Sequence, residues 1–108
     1  MGRRLAAIAA LAAAISLANP AQADINSAVK AVDALPGVLG ANPDNAGNLW
    51  VMVAPNPGVQ WSQYAAQVCL VVLPHHARIF LVKVIDAGSV HSKAPKDWRM
   101  LGAASCGG

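Results

Sequence analysis

Apolar residues recur at intervals of three and four between Ile25 and Leu35. Ile25, Ala28, Val29, Val32 and Leu35 form one stripe, with Lys30 and Asp33 off it. That period predicts an amphipathic helix with one buried face. Asp24 or Asn26 can cap its start. Leu35-Pro36-Gly37 ends it, because proline disfavours helical geometry at the residue before it. Val38 to Ala41 then reads as a short strand, Asn42 to Asn48 as nearly pure turn chemistry, and Leu49 to Ala54 as a strand of β-formers. Together these predict a hairpin, stopped by Pro55-Asn56-Pro57-Gly58.

The helical period returns from Val59. Trp61, Tyr64, Ala65, Val68, Cys69 and Val72 share a face, and Ser62, Gln63 and Gln67 lie away from it. Leu70 to Leu73 alone also fits a strand, but Pro74 closes the segment and the upstream Ala and Gln residues favour helix. Pro74-His75-His76 makes a loop. Arg78 to Ile85 is the strongest strand, apolar almost throughout, so a central position with cover on parts of both faces is expected. Asp86 to Ser89 terminates it, and Val90 to Gly108 shows no period, though Trp98, Met100 and Leu101 make this tail too apolar for a linker.

The predicted order is α-β-β-α-β: an α+β two-layer sandwich, with two helices covering one face of a three-stranded sheet and an irregular C-terminal tail. The second strand, second helix and third strand fit a split β-α-β unit with a right-handed crossover. In the order of its elements alone this resembles small periplasmic modules such as the BON domain. The repeated glycine-valine pattern expected around the strands of that family is missing here.

The N-terminus adds a compartment. Arg3 and Arg4, the apolar run Leu5 to Leu17, the helix breaker Pro20 and the small residues of Ala21-Gln22-Ala23 have the three parts of a secretion signal. A run of about 13 residues is short of the roughly 20 needed to span a bilayer. Cleavage is expected after Ala23, through general secretion. No cysteine stands at the new terminus to receive a lipid, and the flanking features of a twin-arginine signal are missing. Residues 24–108 are then one small domain of 85 residues, enough for a single modest core. An apolar fraction of 56% over the whole 108-residue chain argues against disorder as the dominant state.

Removing the signal also changes the charge. Six Lys and Arg remain against five Asp and no Glu, a net +1, and no basic run survives. Nucleic-acid binding loses its electrostatic basis, and no second apolar segment is long enough to span a membrane. Cys69 and Cys106, an even pair in an exported chain, are expected to form a disulfide, the alternative being two free thiols. A C-terminal cysteine tied to the second helix would hold down the irregular tail.

Candidate chemistry is sparse. His75, His76 and His91 are zinc- or copper-ligating types, but adjacent loop histidines tend to point apart, and no i,i+4 His pair or C-x-x-C occurs. Counting from Asp44 as a calcium loop puts Ala46 third and Pro55 twelfth, so a hairpin turn is expected there. Asp86, Ser89 and His91 are too close in sequence for a relay, and no G-x-S-x-G surrounds Ser89. Cys69 falls on the buried helix face, and the five Asp are scattered. No phosphate-binding glycine motif is present.

Trp50 and Trp61 are expected as core or core-edge residues. Trp98, beside Lys96, Arg99 and Met100, divides between packing and partner contact. Trp98, Arg99 and Met100 are therefore the candidate contact residues, on the sheet face opposite the helices. The expectation is a small periplasmic or secreted binding or accessory module, without catalysis, metal or cofactor, whose partner is a protein or envelope component. The alternative is an exported ligand- or metal-binding protein using His75, His76 and His91.

Overall fold

A computed structural model describes residues 20–91 and 94–107, with side chains from Asp24 onward. The main elements are α1 (Pro20–Asp33), β1 (Val38–Pro43), β2 (Asn48–Val53), α2 (Trp61–Val72), β3 (Leu81–Asp86) and β4 (Met100–Ser105). Most of the signal-peptide reading, including Arg3, Arg4 and Leu5 to Leu17, lies outside the described residues. Residues 20–23 form the first turn of α1.

The fold is α+β, and the sheet has four strands in the order β1-β2-β3-β4. β1 and β2 form the expected antiparallel hairpin, β2 and β3 run parallel through α2, and β3 and β4 are antiparallel. Two expectations are corrected. The supposedly irregular tail contains β4, so the sheet has four strands rather than three. The β-α-β unit is not split, because β2 and β3 are direct neighbours. Apolar β3 is internal, as its composition implies.

Alternation assigns the faces. Leu49, Val51 and Val53 of β2 and Val82 and Val84 of β3 are buried in one core with Ala28 and Val32 of α1 and Ala65, Val68, Cys69 and Val72 of α2. Both helices therefore lie on one side of the sheet. α1 packs over β1, and α2 over β3 and β4.

β4 was illegible for a physical reason. Met100-Leu101-Gly102-Ala103-Ala104-Ser105 has little intrinsic strand propensity. Its small residues instead suit the tight approach of α2. A Cβ on Gly102 would stand 2.5 Å from the Trp61 carbonyl carbon and 2.6 Å from the Ser62 nitrogen. The Cys69–Cys106 disulfide, with Cα atoms 5.0 Å apart, ties the end of this strand to α2. That separation is ordinary for a disulfide. Among the described residues no helix is long and apolar enough to cross a membrane.

Candidate functional site

The helix-free face of the sheet carries an unusual set of side chains. Strand register places Asn42, Trp50, Lys83 and Ala103 in one row across all four strands. The next row holds Gly40, Met52, Ile85 and Met100. Neither row meets the helices, since the alternate positions of β2 and β3 fill the core.

Trp50 is the centre of the first row. Its ring lies 4.5 Å from the Lys83 Nζ, a cation–π contact between register partners. The Trp98 ring meets it edge-on, with centroids 5.2 Å apart and planes at 90°. Trp50 Nε1 donates to Asp44 Oδ2 at 3.0 Å, so the indole is fixed at both its polar and its apolar end. Trp50, expected in the core or at its edge, is half-buried on the face opposite the helices.

Asp44 is the anchor of the hairpin turn, as the turn chemistry implies. Its Oδ1 accepts from the backbone nitrogens of Ala46 at 2.8 Å and Asn48 at 3.0 Å, and its Oδ2 also accepts from Asn48 Nδ2 at 2.9 Å. Desolvation pulls its pKa upward. The bonds from the Asn48 side chain, the Trp50 indole and the two backbone N–H groups outweigh it, and together they hold the carboxyl at about 2. Gly47, at φ +85°, closes the turn where a Cβ would strike the Phe80 ring.

The connection between β3 and β4 brings Trp98 to this face. Asp86 N donates to the Arg99 carbonyl at 2.9 Å, and Arg99 N donates to Ser89 Oγ at 2.9 Å. Ser89 Oγ in turn donates to the Asp86 carbonyl. The Ser89 hydroxyl is thus a fastener of the loop. Ile85 is fully buried although it lies on the helix-free side and outside the helix-side core. Trp98 of the connection reaches this face, against Trp50. The remainder stays open, and Met100 is 48% exposed.

The three predicted contact residues separate. Trp98 and Met100 share the helix-free face. Arg99 turns to a shallow hollow lined with Pro55, Val59, Trp61 and Leu101 at the end of the sheet. Trp50, Met52 and Lys83 belong to the face and were missed. Strict alternation in Asn48-Leu49-Trp50-Val51-Met52-Val53 was the available signal, because it sends Trp50 opposite to Leu49 and Val51.

The histidines lie elsewhere. His75 Nδ1 is 2.9 Å from Ser27 Oγ, joining the end of α2 to α1, and His76 occupies a left-handed cap at φ 54°. Among the described residues no three His, Cys, Asp or Glu side chains gather where a metal ion could be held. Comparison with family models, curated proteins and solved structures finds no match.

Proposed function

We propose that this chain is a small exported binding or accessory module, cut after Ala23, without catalysis, that engages a protein or other envelope component through the helix-free face of its sheet. The observation that carries the reading is the Trp50–Lys83–Trp98 cluster: two tryptophans and a lysine, pre-positioned by register and by Asp44, on the side of the sheet opposite both described helices. Tryptophan anchors with methionines beside them are the composition of contact surfaces, and rigid anchors lose little entropy on binding. The disulfide between Cys69 and Cys106 fits an oxidising compartment outside the cytoplasm.

The test compares wild type, Trp98→Ala and Lys83→Glu for retention on isolated envelope fractions, with far-UV circular dichroism confirming that each variant is folded. Retention of wild type is expected to fall at least tenfold in both variants, an effect of roughly 1.4 kcal/mol or more. Amide shifts on adding the retained fraction should fall on β2, β3 and residues 98–100. Equal retention of all three proteins, or shifts confined to the helices, would refute the reading.

A further inference from the structure

Arg99, the expected contact residue that the helix-free face does not use, stands at one end of a line of three hollows. The first, about 340 Å³, is the one Arg99 shares with Pro55 and Trp61. The second, about 200 Å³, is lined by both the Trp61 and Tyr64 rings, with Pro36 and Val59 in its wall. The third, about 240 Å³, follows Tyr64 along the meeting of α1 and α2 as far as Val71. Neighbouring hollows share their walls, Trp61 between the first two and Tyr64 with Pro36 between the last two. Each is near or below the small end of the roughly 300–1,000 Å³ that holds a whole small molecule. Joined in series, they suit successive residues of a chain instead.

The line is built before any ligand arrives. Trp61, Tyr64, Val68 and Val71 recur at three and four along α2, so the stripe runs along the helix axis, about 15 Å from first to last. The two rings meet edge-on, with centroids 5.3 Å apart and planes at 78°. Tyr64 Oη donates to the Pro36 carbonyl at 3.4 Å. Asn56 orders the rim beside Trp61: its Oδ1 accepts from Gly58 N at 2.9 Å, and its carbonyl accepts from Val59 N at 3.1 Å. A groove held this way loses little freedom on binding.

Its hydrogen-bonding capacity is one-sided. Among the described residues, neither the Trp61 indole N–H nor the Arg99 side chain has a partner, and no unpartnered side-chain nitrogen or oxygen is buried, so both donors reach solvent. The Pro36 and Asn56 carbonyls and Asn56 Oδ1 are already engaged. The groove therefore favours a ligand that brings acceptors and few donors. A polyproline II segment does so, because proline has no N–H and the carbonyls of that helix have no internal partners. An α-helix would keep its carbonyls to itself and cover the Trp61 N–H without pairing it, and a β-strand would bring an N–H for every carbonyl.

We propose that this groove binds a proline-rich segment of another protein, about seven residues in polyproline II form, with an acidic residue against Arg99. Five such residues at about 3.1 Å each cover the α2 stripe, and the remainder reach the first hollow. The acid answers the Arg99 cation, which has no counter-charge among the described residues. Prolines packed between aromatic ridges are a recurrent mode of peptide capture. This surface is separate from the Trp50–Trp98 face, and neither depends on the other.

Titration with capped synthetic peptides, followed by amide and indole NMR in salt of about 0.15 M, tests this. The first probe is Asp-Pro-Pro-Ala-Pro-Pro-Asp, with an acid at both ends so that either chain direction sets one against Arg99. The second has Lys at both ends, and the third has Ala in place of every Pro. The first should move the Trp61 indole and the α2 amides saturably at concentrations up to about 1 mM, leaving the Trp50 indole in place. The Lys peptide should bind about fivefold more weakly, and the order of these two should invert in Arg99→Glu, a substitution at an exposed position. Trp61→Phe keeps a ring but removes the donor, and should weaken the first peptide about fivefold. The proposal is overturned if the Trp61 indole does not move, if the all-alanine peptide binds as well as the first, or if Arg99→Glu keeps the wild-type preference. Shifts centred on Trp50 would also overturn it, by assigning the peptide to the sheet face.

Discussion

Replacing Gly102 by alanine sets two opposed effects on one strand. Alanine loses less conformational entropy than glycine on folding, which by itself would stabilise by about 0.4–1 kcal/mol. Against that, the new Cβ would meet the Trp61 carbonyl carbon at 2.5 Å, the Ser62 nitrogen at 2.6 Å and the Trp61 Cβ at 2.9 Å. Two of these three are backbone atoms of a helix, which cannot rotate aside. Restoring van der Waals distance requires α2 to lift from β4 by about 1 Å, while the Cys69–Cys106 bond resists separation at the other end. Overpacking of this kind costs about 1–3 kcal/mol, so the clash wins and the net loss should be about 2 kcal/mol. For a domain of this size that corresponds to a fall in Tm of roughly 10 °C.

Gly40→Ala is the matched control. Its Cβ would meet only the Met52 Cε, at 2.9 Å, and that is the movable end of a long side chain on the helix-free face. Its Tm should stay level or rise slightly. Thermal and urea unfolding of both variants, under non-reducing conditions, decides the matter. If Gly102→Ala melts at or above wild type, or if the two glycines respond alike, the close α2–β4 contact is not what dictates a small residue in this strand.

Two further outcomes follow from the same geometry. Reduction of the disulfide, or Cys106→Ser, frees a loop spanning 37 positions and should cost about 3–4 kcal/mol by chain entropy, read as a lower urea midpoint; an unchanged midpoint would refute it. Asp44 has a folded pKa of about 2 against an ordinary 3.8, so its contribution to stability is complete above about pH 4 and is lost as pH falls through 2. Asp44→Asn should flatten the stability profile in that window, and an identical acid limb in the variant would refute the assignment.

Most of the fold was legible because its elements obey their own periods. The 3.6-residue stripe from Ile25 became the later turns of α1, which end at Asp33, two residues before Leu35, and the nearly continuous apolar run ending at Ile85 became an internal strand. Ranges shifted where local signals were silent: Ile79 and Phe80 extend the apolar run and Arg78 to Phe80 reads as strand, yet β3 begins at Leu81. β4 broke the pattern because its sequence answers to a neighbour rather than to a propensity. Gly102 and Ala104 face α2 across a gap that larger side chains would not fit, so a β-rich composition there would oppose the fold. The count of cysteines predicted the tie that holds this strand, but not that the tied segment was a strand.

The face that Trp50 takes was illegible for a different reason, and it bears on function. An aromatic residue in a short apolar strand is assigned to the core when the sheet is imagined with one buried face. In β2, however, Leu49, Val51 and Val53 already fill the helix side, leaving Trp50 and Met52 on the other. A strand apolar on both faces requires cover on both. Here the second cover is partial: Ile85 is buried and Trp98 of the β3–β4 connection stands against Trp50, while Met100 remains exposed. The connection thus contributes to the surface as well as to the core. Trp98, expected on the face opposite the helices, and Trp50, expected in the core or at its edge, are two halves of one feature, and that pairing could not be read before the register between β2 and β3 was known.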